Sequence, residues 1–172
     1  MEQQRNIRVL SALPVHEPGP EHPRGEVLVI GRGGLPRLLT LHDLASMAGP
    51  DEVTEDFVCR EGWRVPRLRW GGVPLARVLE QACAPDAAHV EVASGEFATQ
   101  VSAADARHAL LATHLNGAPI PREHGGPLRL VVPGADCYTS VKWVSRIEVL
   151  DAPREDRARA IALARLESRA GR

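Results

Sequence analysis

Three cysteines, Cys59, Cys83 and Cys137, are all that the chain contains. Their odd number and wide spacing do not suggest a disulfide framework. No Cys-x-x-Cys pair is present, so no structural zinc site is expected. Positive charge is not in excess either: 21 Lys and Arg stand against 22 Asp and Glu, a formal net charge of −1. That balance argues against broad nucleic-acid binding, which draws on a basic stripe. No apolar run approaches ~18 residues, so no membrane span is expected. Residues 1–20 show neither a basic region followed by an apolar run nor a twin-arginine pair, and the expected location is cytoplasmic. No internal repeat is visible. Aromatic residues make up only 3% of the chain, so the places they fall are worth noting.

What is present suits one soluble domain: 172 residues, 44% apolar and 25% charged. A chain of that length buries roughly two thirds of its unfolded surface and needs no covalent staple. Residues 1–25 carry Pro14, Pro18, Pro20 and Pro23 and read as an extended lead-in. Glu26–Gly31 reads as a buried strand, and Leu38–Met47 as a short strand followed by a helical turn. Glu52–Cys59 alternates, with Val53, Glu55 and Phe57 on one side, and so reads as a strand. Arg67–Trp70 is expected to be extended, with Gly71-Gly72 turning the chain. Pro74 opens a helix with Leu75, Val78, Leu79 and Ala82 on its apolar face and Cys83 on its packed side.

Further along, His89–Ala93 and Glu96–Val101 form an expected hairpin. Ser102 caps a short helix, and Asn116-Gly117 is a turn. Leu128–Val132 and Val141–Leu150 are expected strands. Residues 151–172 are rich in Ala and Arg with a thin apolar face, and they read as a solvated or fraying terminal helix rather than a docked one. Strands and short helices alternate without βαβ spacing, which gives an α+β class with mixed sheets. The expected division is therefore a lead-in over 1–25, a domain over 26–150 and a tail over 151–172.

Three irregular segments border apolar strands, where a rigid scaffold usually holds a site. Cys59 ends a strand with Arg60 and Arg64 close behind. It is either a small buried hydrophobe or, in a cationic neighbourhood that favours thiolate, a soft ligand for a transition metal. His124-Gly125-Gly126-Pro127-Leu128-Arg129 is either a plain exposed turn or a place where glycines let backbone approach a flat ligand flanked by His124 and Arg129. Lys142 is either a surface lysine or the point charge beside a phosphate-cradling loop.

Taken together, three ordered segments resemble the sulfite oxidase family of molybdopterin-dependent oxidoreductases, in its short bacterial form. Val58-Cys59-Arg60-Glu61-Gly62-Trp63 is similar to the first signature, and Trp70-Gly71-Gly72-Val73-Pro74-Leu75 to the segment after it. Leu115–Pro121 with His124–Gly134 is similar to the second, and Ser140–Val149 to the third. The resemblance covers residues 26–150. It implies the mixed-sheet molybdopterin-binding fold, the molybdenum–molybdopterin cofactor, Cys59 as metal ligand, and His124, Arg129, Ser140, Val141 and Lys142 as cofactor contacts. Two positions depart from it: Cys137 stands where Gly is common, and Thr139 where a basic residue is frequent. Cys137 is read as filling space rather than approaching the metal.

The implied activity is a molybdenum-dependent two-electron oxidation or reduction with oxygen-atom transfer, Cys59 being catalytic through the metal. The substrate would be small and, if Arg60 or Arg64 attracts it, anionic. The alternative is a non-catalytic binding module that keeps the fold without molybdenum. No haem-binding or Cys-rich segment is visible, so electrons are expected to pass to a separate partner.

Overall fold

A computed structural model describes residues 7–17, 25–31, 33 and 36–170. Its elements, in order, are β1 (Arg8–Val9), β2 (Glu26–Ile30), β3 (Pro36–Thr40), α1 (Leu41–Met47), β4 (Glu52–Cys59), β5 (Trp63–Pro74), α2 (Leu75–Gln81), β6 (His89–Ser94), β7 (Phe97–Ser102), α3 (Ala103–Ala106), β8 (Leu110–Leu115), β9 (Ala118–Pro119), β10 (Arg129–Val131), β11 (Arg146–Leu150) and α4 (Arg157–Ala170). Short 3₁₀ turns occupy Arg122–His124 and Cys137–Thr139. The class is α+β, as expected. Among the described residues no helix is long and apolar enough to cross a membrane.

Two sheets carry the structure. One runs β3-β2-β11-β6-β7, and the other is built on β5, which pairs with β4, β1 and β8, with β10 and β9 joined through β8. Pairing is antiparallel except β1 with β5 and β2 with β11. The period-2 pattern divides the side chains between two cores. In β8, Leu111 joins the large core with Val27, Leu75, Val92 and Ile147, while Leu110 and Ala112 face the other way. They join a smaller cluster with Phe57, Trp63, Val65 and Trp70. A sheet buried on both faces is a rigid support, and the site is built on its edge.

Several expectations are corrected. Gly71-Gly72 does not turn the chain. The strand runs on to Pro74 through a bulge, because Gly72 lies against the Leu111 carbonyl where a Cβ would overlap. The strand expected over 141–150 begins only at Arg146. Val141 and Val144 are buried all the same, through an irregular path with Trp143 at φ +53°. Cys83 is exposed just beyond α2 rather than packed. The lead-in is extended where described, and β1 joins β5, carrying Leu13 into the smaller core. Residues 1–6 and 18–24 of it lie outside the described residues.

The tail departs most from expectation. α4 packs on β7 and on the Cys137–Thr139 turn, and Ala158 is fully buried. Polar bonds stand in for the missing apolar face. Asp156 accepts from Thr99 Oγ1 at 3.0 Å and from Arg159 N at 2.9 Å. Buried Glu91 accepts from Arg146 at 2.5 Å, with Arg154 and Arg157 each 3.7 Å away. At the far end Arg169 meets Glu61 at 2.6 Å.

Candidate functional site

A cavity of about 320 Å³ opens between the β4–β5 hairpin, the Cys137–Trp143 segment, the lead-in and α4. Cys59 lies at its wall because β4 ends there. The Gly62 N–H donates to the Cys59 carbonyl at 3.0 Å, and Gly62 takes φ +84° to let the chain reverse into β5. β1 pairs alongside through Arg8 N–H to Gly62 O at 2.9 Å. The following residues then bring Leu13, Pro14 and His16 to the cavity.

Arg129 comes from β10 and is 2% exposed. Its guanidinium stacks between Phe57 and Trp70, with centroids 5.1 and 4.9 Å away. It donates to Ser140 Oγ at 3.0 Å and to the His124 carbonyl at 2.8 Å, and no carboxylate among the described residues pairs with it. Burial lowers its pKa to about 10. Lys142 is the second cation, half-buried beside it. Burial, followed by repulsion from Arg129, lowers its pKa to about 7. Its Nζ lies 2.8 Å from His16 Nδ1, which also faces the Pro14 carbonyl at 3.2 Å. Gly125, at φ +101°, holds the two loops together: a Cβ there would come within 2.8 Å of Lys142 Cγ. Trp143 fastens them again, Nε1 donating to the Arg122 carbonyl at 2.7 Å.

The cationic neighbourhood expected around Cys59 is not supplied by Arg60 and Arg64. Arg60 is bidentate to Asp136 at 2.7 and 2.9 Å, and Arg64 pairs with Asp56 at 3.1 Å. The free positive charge belongs to Lys142 and Arg129. Cys137 lines the cavity as well. Its Sγ lies 3.8 Å from Cys59 Sγ and accepts from the Arg60 N–H at 3.5 Å. The contact between the thiols, then burial, pushes Cys59 up, and the same contact holds Cys137 down.

Of the six residues singled out in the sequence, Cys59, Arg129, Ser140 and Lys142 line one cavity. Val141 does not. Its side chain is in the large core, its N–H donates to the Thr139 carbonyl and its carbonyl accepts from Leu130 N–H. His124 stands behind the wall and reaches the site through its carbonyl on Arg129, with its own Nδ1 buried and without a partner. Sequence reasoning missed His16 and the α4 residues Ala162, Arg165 and Leu166, which also line the cavity. No local pattern marks them. The aromatic residues carried a signal of another kind. Five of the chain's six, Phe57, Trp63, Phe97, Tyr138 and Trp143, line the cavity, and Trp70 stacks behind Arg129.

These residues fit an anionic group carrying a soft metal. A buried and a half-buried cation that make no ion pair with a carboxylate among the described residues are costly unless an anion offsets them. A Cβ-free Gly125, an orphaned His124 Nδ1 and a thiol at the wall complete the set. Among the described residues no cluster of three His, Cys, Asp or Glu side chains is arranged to hold a metal, so one seated here needs further donors from a non-protein ligand.

Comparison with known proteins agrees with this chemistry. A family model described as oxidoreductase molybdopterin binding domain matches residues 17–158. The sulfite oxidase of Arabidopsis thaliana is 35% identical, over 52% of this chain and 29% of its own. The mitochondrial sulfite oxidase of Homo sapiens is 37% identical, over 51% of this chain and 19% of its own. The protein-methionine-sulfoxide reductase catalytic subunit MsrP of Xanthomonas campestris pv. campestris is 30% identical, over 73% of this chain and 44% of its own. The sulfane dehydrogenase SoxCD of Paracoccus pantotrophus shares the fold at a TM-score of 0.64, with 23% identity, 74% of this chain and 38% of that one covered. The chain thus spans less than half the length of each of these relatives.

Proposed function

Because the chain belongs to the oxidoreductase molybdopterin-binding domain family, whose cofactor is the molybdenum–molybdopterin group, we infer that it is a molybdenum-dependent oxidoreductase acting on a small anionic substrate by oxygen-atom transfer. The observation that carries this reading is the wall shared by the Cys59 thiol and two cations, Arg129 and Lys142, that make no ion pair with a carboxylate among the described residues. When bound, the cofactor supplies two-electron redox chemistry at molybdenum.

The protein's own residues hold and shield it. Cys59 would give the metal a thiolate. Lys142 and Arg129 would meet the anionic cofactor, Lys142 as a point charge and Arg129 as a fork already fixed by Ser140 and His124. Val141 anchors the segment from the core. Phe57, Trp63, Phe97, Tyr138 and Trp143 give apolar faces that exclude water and raise the strength of every charge inside. A separate redox partner would take up the electrons, approaching near the Cys59 and Gly134–Ser140 loops.

The test is Cys59→Ser. Serine is nearly isosteric but hard and weakly acidic. Metal-centred absorption and turnover are expected to be lost, with a melting temperature within a few degrees of wild type. A variant that keeps both the absorption and the turnover would remove Cys59 from the metal.

A further inference from the structure

The Cys59 and Cys137 sulfurs face one another at 3.8 Å, although 78 residues apart in the chain. Both residues are half-buried and both line the cavity, so a small thiol reagent that enters it meets both. A disulfide needs its sulfurs at ~2.05 Å, so they must close by roughly 1.8 Å. The supports for that movement are unequal. Cys59 is held in register with Trp63 at the end of β4. Cys137 opens a three-residue turn reached through Gly134, which is at φ +76° with open space around it. Cys137 is therefore the sulfur that moves. The Arg60 N–H already points at it from the neighbouring hairpin, and Arg60 is tied to Asp136, so the turn is tethered close to Cys59.

We propose that Cys59 and Cys137 form a reversible intrachain disulfide that withdraws Cys59 from the metal when the pair is oxidised. The oxidant is a small-molecule disulfide. Cys137 loses its proton and attacks one sulfur of that disulfide, forming a mixed disulfide and expelling the first small thiol. Cys59 then attacks the Cys137 sulfur and expels the second. The two cysteines lose two electrons and two protons, and the small disulfide becomes two thiols. A dithiol reverses both steps. The formation of the bond stands on the geometry alone; its effect on metal binding rests on the reading of Cys59 as ligand.

The experiment equilibrates the full chain, without cofactor, in buffers of oxidised and reduced glutathione. Thiols are then trapped by alkylation and the peptides mapped by mass. The expected result is one linked peptide pair, Cys59 with Cys137, appearing as the buffer becomes oxidising, with Cys83 alone still alkylated. Three alkylated cysteines at the oxidising extreme, or a link that involves Cys83, overturns the proposal. The same samples are next offered the molybdenum cofactor. Reduced protein is expected to gain metal-centred absorption and oxidised protein at least tenfold less, whereas Cys137→Ala gains the same amount in both buffers. Equal loading of oxidised and reduced wild type overturns the gating. If Cys59→Ser loads as wild type does under reducing conditions, it is the ligand reading that fails, and the peptide map still decides the disulfide.

Discussion

Lys142 shows how far burial can bend an ordinary residue. Its pKa falls from 10.5 to about 7 because burial and Arg129 both disfavour its charge. The unfolded chain keeps this proton up to about pH 10.5 and the folded chain only to about 7, so between those values the unfolded state binds more protons. Stability of the cofactor-free protein is therefore expected to rise with pH across that window. Lys142→Met should flatten the rise, as urea melts on both proteins at matched pH will show. A bound anion acts in the opposite sense, restoring the charge. Lys142→Ala should accordingly lose pterin on dialysis about tenfold faster than Cys83→Ala, whose residue is exposed and away from the cavity. Equal retention would take Lys142 out of the site. Arg129→Lys keeps a charge but not the fork that spans Ser140 and His124, and retained pterin is expected to drop by about tenfold, read by fluorescence of the released pterin.

At the scale of the element, α4 is held unevenly. Its start is tied through Glu91, 2% exposed and facing three arginines. Its end is tied through Arg169, 64% exposed. Glu91→Ala leaves Arg146 with Glu148 alone, removes the buried end of the network and should cost about 3 kcal/mol in denaturant unfolding, while Arg169→Ala should cost under about 1 kcal/mol. Comparable costs would mean that the helix is held by something other than this network. The same contrast explains what the sequence made legible. β2, β4, the β6–β7 hairpin and α2 announce themselves by period, because their burial follows their apolar spacing. α4 does not, because charge pairs from distant strands hold it. The run through Gly71-Gly72 reads as a turn until Leu111 is known to lie against it. Cys59, Arg129 and Lys142 stand out by residue type beside apolar segments, and Ser140 only through the family resemblance. His16 and Arg165 reach the cavity only through the path of the chain, and the approach of Cys137 to Cys59 depends on two loops meeting.

At the scale of the whole molecule, two sheets enclose the large core, and the smaller core carries the cavity on its outer side. Within residues 17–158, which the family model matches, no redox relay is visible in the sequence. Single-turnover reduction by a candidate substrate is expected to leave the metal reduced until a carrier is added. Repeated turnover without one would remove the separate partner. The gathering of the aromatic side chains has an optical consequence. Trp63 and Trp143 border the cavity and Trp70 lies one guanidinium behind it, and the chain has no other tryptophan. Ultraviolet emission from this protein is thus a local signal. An occupant of the cavity that absorbs in the tryptophan emission band is expected to quench nearly all of it by energy transfer, whereas fraying around α1 and β3 leaves the emission unchanged.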